Sequence, residues 1–163
     1  MASEPIYFRL AYNATSCSQI SFANNSAAFP NRSVSLYQFP SCTITASPLI
    51  FPQNSLLHHA VTQSSLISVN CTPGLAVAIK LGAGNSGATN PTQRAMQAAG
   101  EKLYYGLYKD ANHTQPWGDA EANDMNISQT TGSNMNLTAY GKVDQQNVKP
   151  GNYTDRVIVS VIY

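Results

Sequence analysis

The chain carries little charge of either sign. Asp, Glu, Lys and Arg make up 10% of its 163 residues and the net charge is +1, whereas an average soluble protein is about 25% charged. This balance provides no basic surface for a nucleic-acid backbone or an anionic membrane. We therefore expect no nucleic-acid partner.

Long apolar runs are also absent. No stretch reaches the roughly 20 residues that a membrane-spanning helix needs. The opening MASEPIYFRLAYN has neither the basic nor the apolar region of a secretory signal. A cytosolic start and a mature exported chain with an added Met are both compatible with this opening. The cysteines and the expected fold favour the exported chain.

Cysteine is scarce, and its spacing does not fit a zinc site. Cys17, Cys42 and Cys71 form no CxxC pair and no Cys/His cluster with ligand spacing. Cys42 opens one strand-like run and Cys71 closes another, so neighbouring strands would bring these two within disulfide reach. Buried free thiols are the alternative. The pairing of Cys17 is left open.

Helical periodicity is nearly missing. Alternation with period two, rich in Val, Ile, Thr and Tyr, predicts strands instead. The predicted strands cover 43–51, 62–70, 75–81, 102–108, 135–143 and 153–163. The helix candidate is 92–99 (TQRAMQAA), which Gly100 would end. Strands at this spacing, separated by Gly- and Pro-rich turns, predict an all-β sandwich.

A glycine motif raises the question of a nucleotide enzyme. GAGNSG (residues 82–87) follows an apolar run with the G-x-G-x-x-G spacing of dinucleotide-binding folds. That fingerprint requires a helix beginning at the third glycine, and Pro91 disrupts one. We interpret the motif as a turn whose glycines adopt positive φ. No nucleotide and no other cofactor is expected.

Patterns for catalysis and metal binding are weak. His58, His59 and His113 lie in polar connections without a nucleophile motif nearby, which favours exposed histidines. The alternating acids of 117–124 loosely resemble a calcium loop but lack the EF-hand ligand pattern. The sequence therefore predicts no catalytic residue, no metal site and a protein that is not an enzyme.

An apolar arm lies near the start of the chain. Its alternate apolar residues are Ile6, Phe8, Leu10 and Tyr12. The residues from 14 to 39 that follow have little periodic order. Such an arm has the form of an element donated to a neighbouring molecule. The alternative is a strand that folds back on its own domain.

The last strand-like run is apolar on both faces. One face carries Val157, Val159, Val161 and Tyr163. A strand of this kind is usually central in a sheet or covered by another element. No later residues of the sequence could form a hairpin partner beside it.

Several pieces occur in a family-specific order. They are CTITASPLIF (42–51), VNCTPG (69–74), GAGNSG (82–87), RAM (94–96), LYYGLYKD (103–110), WGD (117–119), LTAYG (137–141) and PGNYTD (150–155) before the Val-rich run. In these pieces the chain resembles the spore coat protein U family, which includes subunits of archaic chaperone–usher pili. The resemblance covers about three quarters of the chain.

The resemblance implies an incomplete immunoglobulin-like β-sandwich that a donated strand completes. The missing strand would come first from a periplasmic chaperone and then from the arm of the next subunit. The family's disulfide falls on Cys42 and Cys71. The expected organisation is an arm over 1–16, an irregular connection over 17–41 and a pilin domain over 42–163. The expected donor residues are Ile6, Phe8, Leu10 and Tyr12, and the expected acceptor groove is formed by Val157, Val159, Val161 and Tyr163.

The function implied is that of a structural subunit of a bacterial surface pilus. Its partners would be a periplasmic chaperone, an outer-membrane usher and neighbouring pilin subunits, and it would pass through the periplasm to the cell surface. The connection over 13–41 is longer than usual for this family. A tip or adaptor subunit with an adhesive role is therefore one alternative. A secreted sugar-binding sandwich is another, because sandwiches host many functions.

Overall fold

The described part of the chain is one compact unit of β-structure. The computed structural model describes residues 36–53, 57–128, 130–132 and 134–163, and the compact unit runs from Gln38 to Tyr163. The expected donor residues between 6 and 12, and Cys17, lie outside the described residues. Within those ranges, no helix has the length and apolarity to span a bilayer.

Eight strands build this unit. They are β1 (Cys42–Ala46), β2 (Val61–Cys71), β3 (Val77–Leu81), β4 (Arg94–Ala98), β5 (Glu101–Tyr108), β6 (Met125–Ile127), β7 (Met135–Val143) and β8 (Val159–Ile162). One sheet has five strands in the order β1-β2-β7-β5-β4, and the other has three in the order β6-β3-β8. The paired strands are antiparallel. The all-β fold class predicted from the sequence is confirmed.

The period-two pattern of the central strands explains how the core forms. β2 and β7 pair in register from Val61 opposite Val143 to Val69 opposite Met135. Val69 and Val143 point inward and are 0% and 2% exposed, whereas Thr62 and Asn136 point outward into solvent. Burying each large apolar side chain contributes about 1.5–3 kcal/mol. This alternation fixes which face of the sheet meets the core.

The helix predicted over 92–99 is wrong. Arg94–Ala98 is strand β4, which pairs with β5 through a hairpin turn at Ala99 and Gly100. Their φ angles are 47° and 83°, as the two central residues of a type I′ hairpin turn require. Gly100 therefore closes a hairpin and does not end a helix. Pairing with β5 overrides the weak helix propensity of TQRAMQAA.

The first and last predicted strands are shorter than expected, and one strand was missed. The run predicted over 43–51 is a strand only from Cys42 to Ala46. Of residues 153–163, only Val159–Ile162 form a strand, while Thr154 makes an isolated bridge to Gln97. Strand β6 is Met125–Ile127, which is too short for a period-two signal. At these positions, strand formation depends on backbone pairing with segments that are far away in the sequence, which local alternation does not report.

A disulfide joins the ends of the first two strands. Cys42 and Cys71 face each other in the β1–β2 register, and their sulfurs are 2.05 Å apart. The pairing implied by the family resemblance is therefore confirmed. The bond ties β1, an edge strand, to its neighbour β2 in the larger sheet.

Replacing both bridged cysteines with alanine should lower the free energy of unfolding by about 3–4 kcal/mol. The cysteines are 29 positions apart, and a loop of that size gives this value in the chain-entropy treatment. Urea unfolding of the oxidised parent and the double variant measures the difference. Adding a reductant should weaken the parent and leave the double variant unchanged. Equal stability of the oxidised parent and the double variant would contradict the prediction.

Candidate functional site

An apolar cleft opens into the sandwich. Its volume is about 1860 Å³, and its floor consists of core side chains from both sheets. The floor residues are Ile67, Leu81, Leu103, Tyr105, Leu107, Ala139 and Val143. In a closed sandwich, another strand would cover such side chains. The interior is thus open along one side of the described unit.

The first side of the cleft, here the N-terminal wall, is segment 46–53 beyond β1. Ser47 donates its backbone N–H to the Leu66 carbonyl at 2.9 Å. Leu49 and Phe51 turn inward over Gly141, where a Cβ atom would lie 2.8 and 2.9 Å from their side chains. The missing side chain at Gly141 therefore makes room for these two apolar groups. They form the inner surface of this wall.

The second side, here the C-terminal wall, is segment 145–157. Thr154 and Gln97 exchange backbone hydrogen bonds of 3.2 and 2.9 Å, which attach this wall to β4. Tyr153 donates its hydroxyl to the Lys149 carbonyl at 2.7 Å and closes the bend before it. Val157 then enters the cleft, and the chain continues into β8.

Asp155 fixes the end of the C-terminal wall that leads into β8. Its Oδ2 accepts a hydrogen bond from the Tyr105 hydroxyl at 2.6 Å. Its Oδ1 accepts from the backbone N–H groups of Asn85 at 2.7 Å and Arg156 at 2.8 Å. Hydrogen bonds to a carboxylate are about twice as strong as neutral ones. One side chain therefore joins the wall to both the glycine-rich turn and β5.

The glycine-rich turn receives this carboxylate. Gly84 and Gly87 have φ angles of 73° and 63°, so the predicted turn with positive φ is confirmed. A Cβ on Gly84 would overlap the Asp155 carboxylate, whereas Gly87 has nothing within 4 Å of its Cβ position. The segment beyond the turn leads to β4 and not to a helix. The turn thus holds a carboxylate of its own chain.

Arg94 holds the same turn from the inside. It is 1% exposed, and its guanidinium donates to the backbone carbonyls of Leu81, Gly82, Pro91 and Trp117 at 2.5–2.9 Å. Burial lowers the pKa of Arg94, and the nearby Tyr105, Asp119 and Asp155 act in the opposite direction. The planar fork of donors suits this set of carbonyls. It ties the end of β3 to the start of β4.

Beside the cleft, the outer main-chain edge of β8 has no strand partner among the described residues. β8 pairs only with β3 among the described strands, and Ile158 accepts the Gly82 N–H at 2.9 Å. Because bonding alternates along an antiparallel pair, the main-chain groups of Val159 and Val161 point away from β3. On β3, the Ile79 and Leu81 carbonyls likewise bond on the side away from β8, to Trp117 and Arg94. The free edge of β8 therefore faces away from β3.

Only two of the four expected acceptor residues line the cleft. Val157 and Val159 line the cleft. Val161 packs against the core but is not part of the cleft lining. It belongs to β8, which contacts β1. Tyr163 is 58% exposed and lines a separate hollow of about 490 Å³ beside β3 and β6.

Sequence reasoning missed most of the cleft lining. The missed residues include Leu49, Phe51, Met96, Leu103, Tyr105, Tyr153 and Asp155. Several of them stand in the pieces CTITASPLIF and PGNYTD, which carry the family resemblance. That resemblance was the available signal, since alternation alone cannot show which inward side chains remain uncovered.

The histidines and the acidic loop differ in their surroundings. His58 and His59 are exposed as expected, but His113 is half-buried, so that expectation was wrong. The His113 ring lies edge-on to Tyr108, with ring centroids 5.2 Å apart.

Within the acidic loop over 117–124, Asp124 is 4% exposed and its carboxylate lies 3.7 Å from the Lys80 ammonium. The described residues contain no group of three or more His, Cys, Asp or Glu placed to hold a metal.

The family comparison matches most of the chain. The Spore Coat Protein U domain matches residues 28–160. The chain belongs to this family. No curated protein matches it significantly.

The solved structures include a chain of similar fold. It belongs to the crystal structure of the CsuC–CsuE chaperone–tip adhesion subunit pre-assembly complex from the archaic chaperone–usher Csu pili of Acinetobacter baumannii. The TM-score is 0.54 at 19% identity, and the alignment covers 77% of the present chain. It covers 40% of the matched chain, so the present chain spans less than half of that length. With the open cleft, the match defines the fold as an incomplete immunoglobulin-like sandwich.

Gly84→Ala should destabilise the protein more than Gly87→Ala. Both variants place a Cβ at positive φ, which costs about 1–2 kcal/mol each. Only the first also pushes the Asp155 carboxylate out of its site. We expect an additional loss of about 1 kcal/mol, because the hydrogen bonds of the half-buried Asp155 are disrupted. Urea unfolding of the two variants measures the difference, and equal losses would contradict the role assigned to Asp155.

Tyr105 should make stability fall at alkaline pH. Burial raises the pKa of Tyr105, and the hydrogen bond to Asp155 and the charge of that carboxylate raise it further. A group whose folded pKa exceeds its unfolded value, about 10 for tyrosine, stabilises the fold fully below that pH. Its contribution is lost as the pH rises above about 10.

Urea unfolding between about pH 8 and about pH 11 checks this sign. Tyr105→Phe should show a shallower alkaline fall than the parent. Tyr104→Phe is the matched control, because Tyr104 is the adjacent residue and is 49% exposed. The same slope in the parent and in Tyr105→Phe would refute the assignment.

Proposed function

We propose that this protein is a structural subunit of a bacterial surface pilus that is assembled by strand exchange. The observation that carries the proposal is the edge of β8, which is unpaired in the described part of the chain and lies beside an apolar cleft. An unpaired strand edge is a template for another strand. A donated strand would gain affinity from main-chain hydrogen bonds, and its alternate side chains would fill the cleft.

The shape of the cleft suits an extended segment with apolar side chains on one face. Val157 and Val159 lie at its edge, and the core forms its floor. The apolar alternation of Ile6, Phe8 and Leu10 supplies such a segment, and Tyr12 continues it. We assign the arm of one subunit to the cleft of the next.

Before assembly, the same cleft requires a temporary occupant. Exposed apolar interiors and free strand edges promote aggregation. A periplasmic chaperone that supplies a strand would prevent this, and an outer-membrane usher would then take the subunit to the surface. The family membership and the fold both support these partners. The subunit would pass through the periplasm and remain in an extracellular fibre.

The role we propose is non-catalytic and without a cofactor. In the cleft, Tyr105 and Asp155 bond to each other, and Asp155 also accepts from the backbone. In this role they support the walls of the cleft.

A tip subunit is the second candidate. The matched crystal structure is that of a chaperone–tip adhesion subunit complex. The matched chain is more than twice as long as the part aligned, because the alignment covers 40% of it. A pilin domain within a longer tip protein would have the same cleft. The arm then decides between the two candidates, because only a polymerising subunit must donate it.

Phe8→Asp should block polymerisation while leaving the domain folded. An aspartate in the middle of the inserted row would place an unpaired charge in an apolar slot, at a cost of several kcal/mol. Arg9→Asp, on the opposite face of the arm, should assemble nearly as well as the parent. The measurement is fibre length by electron microscopy after export with the cognate chaperone and usher. Fibres of normal length from both variants would exclude the arm as donor and favour the tip subunit.

A further inference from the structure

We propose that Asp155 is a positioning residue for strand binding: with the GAGNSG turn, it holds the C-terminal wall in the form that accepts a strand. This inference rests on the proposed function and deepens it. It assigns a role to the glycine motif, which neither catalysis nor cofactor binding explains. The turn acts as an internal carboxylate receptor for the segment that leads into β8.

The first argument is the set of bonds around the carboxylate. Asp155 accepts hydrogen bonds from the Tyr105 hydroxyl on β5 and from the Asn85 N–H in the turn. Gly84 has no Cβ, which leaves the space that the carboxylate fills. Two neighbouring elements thus hold the same side chain. Its removal would leave the wall attached through the backbone bridge between Thr154 and Gln97 and, nearer its start, through Gln146 on Tyr104 and Lys149 on Glu101. The part that leads to Val157 would then have only the Thr154 bridge close to it.

The second argument is the position of Asp155 in the chain. It lies directly after Thr154 and two residues before Val157, the first of the expected acceptor residues. Val157 and Val159 both line the cleft. Asp155 therefore sets where the apolar edge of the cleft begins. A wall released from the turn could lean inward over the floor and shield it.

The consequence concerns the rate at which a strand binds. If only a fraction of molecules keeps the cleft open, the apparent affinity falls by that fraction. An anchored wall keeps this fraction close to one. Without the anchor, a strand must first wait for the wall to move aside. Association should slow, while dissociation of a fully inserted strand changes less.

The test uses the full chain and a fluorescein-labelled peptide of residues 4–14. Stopped-flow anisotropy gives the association rate constant for the parent and for Asp155→Ala. We expect association to be about tenfold slower in the variant, which corresponds to an open fraction of about one tenth. Both proteins carry Phe8→Asp, which removes competition from the chain's own arm, because weaker arm binding in the Asp155→Ala protein would otherwise offset its slower association.

Asp144→Ala is the matched control. Asp144 is an aspartate just before the C-terminal wall, and it does not line the cleft. Its side chain is 69% exposed and pairs with Lys142. It should leave the association rate unchanged. Equal rates for Asp155→Ala and the parent would overturn the proposal. If the parent itself fails to bind the peptide, the proposed function fails, and this result is distinct from a positioning failure.

Stability is measured in parallel, because a purely structural residue would lower it without changing the rate per folded molecule. The fluorescence of Trp117, which is 0% exposed, reports the folded fraction. If Asp155→Ala does not fold, Asp155→Asn replaces it, since the amide oxygen can still accept from Asn85. This milder variant should bind about threefold more slowly, as expected when charge-assisted bonds become neutral ones. An unchanged rate in Asp155→Asn would then overturn the proposal.

Discussion

The free main-chain edge of β8 is the constraint on which the rest of the structure depends. Backbone N–H and C=O groups need partners when they are buried, and on this edge the groups of Val159 and Val161 have no strand partner among the described residues. The adjacent cleft reaches down to the core on the same side. A single added strand would complete both features, because its backbone would bond to the edge of β8 and its apolar side chains would fill the cleft. The described sandwich is therefore incomplete by one strand.

An open cleft requires walls that do not depend on its occupant. Polar groups provide this rigidity here: Arg94 binds backbone carbonyls around the glycine-rich turn, and Asp155 joins that turn to β5. On the opposite wall, Gly141 makes room for Leu49 and Phe51. The disulfide anchors β1, from which this wall continues. These contacts hold the walls apart without filling the cleft.

The strands were predictable from sequence where alternation was long, and less so elsewhere. β2 and β7 show their inward faces as alternating apolar residues, so their bounds were nearly correct. β4 was predicted as a helix, because Arg, Met, Gln and Ala favour helices and its strand pairing depends on β5. For the cleft, the sequence indicated only that the last strand would lack a partner, and it did not indicate the lining residues. Asp155 and Gly84 meet across 71 positions of sequence, and no local pattern reports such a contact.

Hydrogen exchange at the β8 amides tests the central claim most directly. The N–H groups of Val159 and Val161 should exchange fast in a subunit with an empty cleft and slowly in an assembled fibre. The N–H groups of Ser160 and Ile162, which face β3, should be protected in both states and serve as an internal reference. Protection of Val159 and Val161 that appears only on assembly is the predicted result. If these amides exchange equally fast in the subunit and in the fibre, no strand is added at β8.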